Sequence, residues 1–204
     1  EIGLKNNTSK SDLSIAAFYS NYEDFLDKSA DGGTTTITGP LGAINGVPVI
    51  NTQNVDEVTI WGLELNNVYY FNERNKGLSI GNSISYQKGE DDTANEPLHT
   101  IQPFTAINNI SYVFPNQKLT ASLINTYVGV PTTRSSYDDY VPESYIRTDL
   151  GMVYRFADNF SANLGIYNLL DKRYYKWSDL NANGINGTDD TAYQRYAQPG
   201  TTIQ

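Results

Sequence analysis

The sequence predicts an all-β fold, an antiparallel transmembrane β-barrel to which this chain contributes about nine strands. The first observation is the run 160–167, where apolar and polar residues alternate, as they do on a strand with one apolar and one polar face. The second is that short and long connections alternate along the chain. The third is the concentration of aromatic residues beside the short connections. Together these features are typical of an outer-membrane barrel wall.

Each predicted strand repeats the alternation of apolar and polar residues. The apolar residues of the run 160–167 are Phe160, Ala162, Leu164 and Ile166, and its polar face is Ser161, Asn163, Gly165 and Tyr167. The other runs that follow this pattern are 12–22, 58–71, 78–86, 106–114, 119–123 and 149–156, with strand-like ends at 1–5 and 200–204. Asn82 is a polar exception on an apolar register. We expect the apolar face to meet lipid and the polar face, with Glu64, Asp149 and Arg155, to line the lumen.

The connections between these runs fall into two groups. The short ones are 7–10, 72–77, 115–118 and 157–159, and the long ones are 30–56, 89–103, 131–144 and about 180–198. Because the two kinds alternate, all short turns lie at one edge of the sheet and all long connections at the other. We call these the short-turn edge and the long-connection edge. Barrels with short periplasmic turns and long extracellular loops have this arrangement, and a soluble sandwich has no reason to sort its loops.

Aromatic residues cluster at one level of the predicted wall, beside the short turns. They are Tyr69, Tyr70, Phe71, Tyr112, Phe114, Tyr154, Phe156 and Phe160. Aromatic rings at one level of every strand form a girdle at a membrane–water interface. This girdle therefore places the short-turn edge at a membrane surface.

Composition narrows the class further. The chain has 204 residues, 16 Tyr and no Cys, so disulfides and thiolate metal sites are excluded within it. No apolar run is long enough for a transmembrane helix. The net charge of −9 disfavours a nucleic-acid partner, which would need a basic surface. The sequence contains no nucleophile elbow, phosphate-binding glycine loop or paired catalytic carboxylates, so we predict that the chain is not an enzyme.

Three stretches are similar to a known family. The stretch 165–175, with Asn168-Leu169-Leu170-Asp171-Lys172 and Tyr174-Tyr175, resembles the penultimate-strand signature of TonB-dependent outer-membrane receptors. Gly62-Leu63-Glu64 and the stretch 144–150 resemble two further strands of that family. The resemblance implies that residues 1–204 are the C-terminal portion of a large plugged barrel in a Gram-negative-type outer membrane. The plug domain, its contact with TonB and the N-terminal strands are then expected to lie outside this chain.

Other stretches resemble the haem/haemoglobin (haemophore) receptor branch of the family. They are 175–179, 97–103 and 198–200. This resemblance implies TonB-dependent import of haem, taken free or from a carrier protein, either haemoglobin or a haemophore, held by the extracellular loops. Haem is then a transported cargo, and no resident cofactor is expected. A siderophore receptor is the nearest alternative, and a passive porin or a soluble all-β binding module are more distant ones.

Four residues of the long connections are candidate contacts for a ligand or partner. His99 is the only histidine of the chain, and an imidazole can bind haem iron, although a loop histidine is more often simply solvated. Tyr137 and Tyr140 lie at the tip of a long connection, where a phenol can contact a protein or ligate haem iron; packing against neighbouring loops is the alternative. Trp177 could pack on a cargo, although such a residue more often anchors at the interface or packs within its loop.

The stretch 179–190 has a weak calcium-loop pattern. Oxygen-bearing side chains alternate from Asp179, Gly184 stands where a sharp turn is needed, and Asp190 occupies the position that usually carries Glu. No helix is predicted beside it, and a flexible Asn/Gly loop explains the same composition. We therefore assign no metal site here.

Overall fold

The computed structural model of the chain describes residues 1–29, 34–40, 42–49, 51–98, 100–132, 141–157, 159–182 and 193–204. Almost all of the regular structure is strand. The strands are β1 (Ile2–Asn7), β2 (Ser11–Ser29), β3 (Thr34–Gly39), β4 (Gly42–Pro48), β5 (Asn51–Tyr70), β6 (Gly77–Asp91), β7 (Glu96–Pro97), β8 (Thr105–Val113), β9 (Leu119–Val128), β10 (Tyr145–Ala157), β11 (Phe160–Tyr167) and β12 (Thr202–Ile203). One helix, α1 (Trp177–Ala182), and a 3-10 turn (Tyr193–Tyr196) lie between β11 and β12.

The strands form one antiparallel sheet in the order β1-β2-β5-β6-β8-β9-β10-β11-β12, with β7 paired to β6. Each strand of this order pairs with its neighbours along the chain, apart from the separate two-stranded sheet of β3 and β4 inserted between β2 and β5. Within the described residues the sheet does not close, as expected for part of a larger barrel wall. The predicted all-β antiparallel fold is therefore confirmed.

The predicted sorting of connections is also found in the structure. Short turns join β1 to β2, β5 to β6, β8 to β9 and β10 to β11, and the long connections all leave the opposite edge. Arg74 of one short turn is held by Asp12 of β2 through two hydrogen bonds, of 2.6 and 2.8 Å, and the Tyr70 hydroxyl donates to the same carboxylate at 3.1 Å. These contacts attach the turn 71–76 to the neighbouring strand.

One face of the sheet is apolar and uncovered. Directly paired residues share a face, and the register brings Leu65 opposite both Ile15 and Ile84, with Tyr127 opposite Ile146 further along the sheet. Many large apolar side chains of this face, such as Leu4, Leu63 and Ile146, are exposed. In the described part of the chain only Val58, Leu98, Ile101, Tyr174, Trp177 and Leu180 are buried hydrophobic residues. All six lie at the long-connection edge, so the wall itself has no covered core.

Two expectations about the connections were wrong. The stretch 30–56 was expected to be one long connection, but β5 already begins at Asn51, β2 runs to Ser29, and a β3–β4 hairpin lies between them. Backbone pairing continues from Glu23–Glu57 to Ser29–Asn51. The β2–β5 ribbon is therefore the longest pair in the sheet. The second error is α1, whose six residues are too few for a helical period to be recognised.

No helix in the described segments is both long and apolar enough to cross a membrane.

Candidate ligand-facing site at the long-connection edge

Asn168 organises the long connection between β11 and β12. It is 2% exposed, and its φ of +52° is a left-handed conformation that Asn tolerates better than most residues. Its side-chain amide donates to the carbonyls of Lys172 at 2.9 Å and Pro199 at 3.1 Å, and its Oδ1 accepts from the Lys172 backbone N–H at 2.9 Å. One buried amide thus ties the first residues of this connection to its last ones.

The same residue is also joined to strand β10. The Asn168 backbone N–H donates to Asp149 Oδ1 at 2.8 Å, and the Thr201 hydroxyl donates to the Asn168 carbonyl at 2.9 Å. The Asp171 carboxylate accepts from the Thr201 backbone N–H at 3.1 Å. These contacts give a physical role to Asn168 and Asp171, which belong to the signature-like stretch 165–175.

Asp149 is a buried carboxylate with a cationic partner. Arg147 donates from Nε to Asp149 Oδ2 at 3.0 Å, its Nη2 lies 2.8 Å from the same oxygen, and its Nη1 donates to the Tyr174 hydroxyl at 3.3 Å. The Tyr174 ring packs against Tyr145 with 4.4 Å between ring centroids. Asp149 lies on the polar face of β10, as predicted, but its oxygens are used by Arg147 and Asn168.

The helix α1 packs inside this connection. Trp177 and Leu180 are 3% and 2% exposed. The Gln198 backbone N–H donates to the Tyr174 carbonyl at 3.0 Å, and its side-chain amide donates to Asp179 Oδ2 at 2.8 Å. The segments 168–182 and 193–204 therefore form one folded unit above β10 and β11.

A second buried cluster fixes the connection between β6 and β8. Leu98 and Val58 are fully buried and pack with Ile101, and the Leu98 N–H donates to the Gly89 carbonyl at 2.9 Å. A Cβ at Gly89 would come within 2.7 Å of Ile101 and 2.9 Å of Leu98, so the strand needs glycine at this close approach. The cluster holds both flanks of position 99 against β5 and β6.

Of the four predicted contact residues, only Trp177 lies within the described residues. His99, Tyr137 and Tyr140 lie outside the described residues, as do positions 183–190 of the calcium-like stretch, whose first residues belong to α1. Trp177 is described and is buried, at 3% exposed. Its contact with a ligand stays a prediction. Within the described ranges, no three His, Asp or Glu side chains converge as a metal site.

Sequence reasoning missed two residues that shape this edge. Asn168 belonged to the recognised signature, but its role as a clamp depends on Lys172, Pro199 and Thr201, which only the fold brings together. Leu98 was overlooked because a single apolar residue in a polar connection has no periodicity. Its place within a Pro-Leu-His run was the one available signal, since its contact with Gly89 is seen only in the fold.

The open antiparallel sheet and the folded connections at its long-connection edge are typical of one class of protein, and the comparisons with known proteins agree on that class. The family model described as "TonB dependent receptor-like, beta-barrel" matches residues 1–169. The chain belongs to this family of receptors, which are not enzymes.

Curated relatives and a solved structure give the extent of the similarity. The "Probable hemoglobin and hemoglobin-haptoglobin-binding protein 4" of Haemophilus influenzae is 25% identical over 92% of this chain and 21% of its own length. The "Hemoglobin-haptoglobin utilization protein B" of Neisseria meningitidis is 25% identical over 98% of this chain and 28% of its own length. The structure titled "Copper transporter OprC" superposes with a TM-score of 0.71 at 20% identity, covering 98% of this chain and 29% of that one. The chain thus spans less than a third of each of these proteins, and the likeness to the solved structure establishes the fold alone.

Proposed function

We propose that this chain forms wall strands and cargo-facing connections of an outer-membrane receptor for TonB-dependent uptake of haem, free or from a haemoglobin-type carrier. The observation that carries the proposal is the similarity to one relative named for binding haemoglobin and haemoglobin–haptoglobin and to another named for haemoglobin–haptoglobin utilization, over 92% and 98% of this chain. That span includes the long connections, where a receptor barrel recognises its cargo. The wall itself does no bond chemistry.

The physical features of the sheet support a membrane location. An exposed apolar face with few buried hydrophobic residues is unfavourable in water, and lipid would remove that cost. The open sheet edges would need the remaining strands of the receptor, because unpaired backbone groups are costly in hydrocarbon. The plug that would contact TonB is expected outside residues 1–204.

The folded long-connection edge supports a role in recognition. The clamp at Asn168 and the cluster at Leu98 hold the bases of two long connections, which lowers the ordering cost when a partner binds. His99, Tyr137 and Tyr140 remain the proposed contacts for cargo or carrier, and Trp177, which is 3% exposed, would contact cargo only if its connection opened.

The test uses the full-length receptor that contains this chain. Purified receptor is titrated with haemin and followed by the Soret absorbance, and capture of haemoglobin is measured in parallel. We expect binding of both, weakened in His99→Ala or in the Tyr137→Phe/Tyr140→Phe pair, and unchanged in Tyr112→Phe at the short-turn edge. Cells with haemoglobin as the sole iron source should grow only when both the receptor and TonB are present.

The alternative cargo is a ferric siderophore. If the receptor binds a ferric siderophore and supports growth on it, but neither binds nor supports growth on haemin or haemoglobin, the siderophore is the cargo and haem is not. Receptor-dependent uptake that persists without TonB would reject the coupling mechanism.

A further inference from the structure

We propose that two copies of the receptor pair side by side in the membrane, with Asn82 and Asn108 at the centre of the contact. Each copy donates a hydrogen bond from Asn82 Nδ2 to Asn108 Oδ1 of the other copy. The proposal rests on the membrane placement in the proposed function but is independent of its haem cargo. Nothing in the similarity to haemoglobin-binding proteins assigns a role to this face of the wall.

Both asparagines lie at a depth where lipid tails would surround a single copy. They are directly paired on the otherwise apolar face, with Asn82 five residues after the start of β6 at Gly77 and Asn108 five residues before the end of β8 at Val113. Five residues span about 16 Å of strand, or about 11 Å of depth at a tilt of about 45°. The pair therefore falls within a hydrocarbon core about 30 Å thick.

The hydrogen bond inside one copy leaves half of this pair open. Asn108 Nδ2 donates to Asn82 Oδ1 at 2.8 Å, and among the described residues neither side chain makes another hydrogen bond. Asn82 Nδ2 and Asn108 Oδ1 therefore stay available, and both residues are partly exposed. Acyl chains offer neither a donor nor an acceptor, and an unpaired amide group is costly in hydrocarbon.

A second copy of the receptor supplies the missing partners. The open donor of one pair matches the open acceptor of the same pair in another molecule, so two reciprocal hydrogen bonds form about a two-fold axis. In such a contact residue i meets residue j and j meets i, as a two-fold homodimer requires. A partner of another sequence would have to present the same donor and acceptor, whereas a second copy presents them by symmetry.

The exchange fits the centre of a row of directly paired polar residues on this face. The row consists of Asn67, Asn82, Asn108, Asn125 and Thr148. It runs obliquely over the apolar face, so in a two-fold pair it crosses its symmetry mate at one place. Asn67 donates to the Asp12 carbonyl at 3.1 Å, and Thr148 is 8% exposed and donates to Asn125. The pair Asn82–Asn108 is therefore the crossing point.

The surface around the pair allows two walls to approach closely. The neighbouring pairs on the same face are Ile80–Ile110 and Ile84–Ala106. None of these side chains carries a charge, so two identical surfaces do not repel each other. Ala106 is a small residue, and small residues let the backbones of membrane segments come close. Ile110 is 38% exposed and supplies apolar contact beside the amides.

The experiment measures association of the full-length receptor in lipid vesicles. Copies labelled with donor or acceptor dye are mixed at increasing ratios of protein to lipid, and energy transfer reports pairing. Asn82→Leu/Asn108→Leu removes both members of the crossing, so no amide is left unpaired within the wall. This variant should associate about tenfold more weakly than wild type, since two hydrogen bonds between membrane segments contribute about that much. In dilute vesicles every variant should be a single copy, so pairing and unfolding are measured separately.

The matched control removes the other hydrogen-bonded pair of the row. Asn125→Leu/Thr148→Val lies away from the crossing and should associate like wild type. Ala106→Trp keeps both asparagines but blocks the close approach, so it should abolish energy transfer. In native outer membranes oxidised with copper phenanthroline, Ala106→Cys should form a disulfide-linked dimer, and Leu150→Cys on the same face should not.

Several outcomes would overturn the pairing. They are absence of energy transfer in the wild type at every density, equal weakening in both row variants, and full association of the Asn82→Leu/Asn108→Leu or Ala106→Trp variant. Folding of each variant is checked by its resistance to SDS before heating. Haemin titration of the same samples keeps the proposals apart, because paired receptors that do not bind haemin refute only the haem cargo, and unpaired receptors that bind haemin refute only the pairing.

Discussion

The side-chain amide of Asn108 donates a hydrogen bond of 2.8 Å to Asn82 Oδ1, across β8 and β6, on the face of the sheet that is otherwise apolar. The pair belongs to a row of directly paired polar residues that crosses five strands: Asn67, Asn82, Asn108, Asn125 and Thr148. Thr148 donates to Asn125 Oδ1 at 2.9 Å in the same way. Asn67 lies near the short-turn end of β5 and Thr148 near the opposite end of β10, so the row crosses the apolar face obliquely.

The first prediction concerns this amide pair. Replacing Asn82 alone by Leu leaves the Asn108 amide without its acceptor on an apolar face, which should cost about 1–2 kcal/mol of unfolding free energy. Replacing both Asn82 and Asn108 by Leu should cost close to nothing, because no polar group is then left unpaired. The measurement is the denaturant midpoint of the full-length receptor in lipid vesicles. A double variant that simply adds the two single costs would show that the hydrogen bond does not couple the residues.

The second prediction concerns the clamp. Asn168→Ala removes three side-chain hydrogen bonds, to the N–H and carbonyl of Lys172 and to the carbonyl of Pro199, and should cost about 2–4 kcal/mol locally. We expect faster amide hydrogen exchange in 172–182 and 193–204, with the strands β5 to β9 unchanged. Asn163→Ala, at an exposed position of the preceding strand β11, is the control. Unchanged amide exchange in the Asn168 variant would show that its side-chain hydrogen bonds do not hold this connection in place.

The third prediction concerns the close approach at Gly89. A Cβ there would collide with Ile101 and Leu98, so Gly89→Ala should displace the Leu98 cluster and cost about 1–3 kcal/mol. Gly151→Ala is the control, since a Cβ at Gly151 meets nothing within 4 Å. Limited proteolysis should cut the connection 92–104 faster in the first variant only. Equal protection in both variants would mean that the cluster tolerates the added methyl group.

Some features of the fold could be predicted from the sequence and others could not, and the difference has a physical reason. Period-two alternation and turn residues are local signals, so the strands, both edges and the apolar face could be predicted before any pairing was known. The polar row could not, because only the register places Asn108 beside Asn82. The β3–β4 hairpin was missed because its Thr, Gly and Asn residues suit a ribbon and a loop equally well. The clamp was missed because its partners lie up to 33 residues away along the chain.

The central claim is that the sheet is an outer-membrane wall with its long connections outside the cell and its short turns on the periplasmic side. This chain contains no Cys, so single cysteines can be introduced into it and compared with the unmodified receptor. Thr93→Cys lies in a long connection and Asn75→Cys in a short turn, and both positions are exposed. The measurement is labelling of intact cells by a membrane-impermeant maleimide. The account predicts that Thr93→Cys reacts at once and that Asn75→Cys reacts only after the outer membrane is permeabilised, whereas immediate labelling at position 75, or protection at position 93, would contradict it.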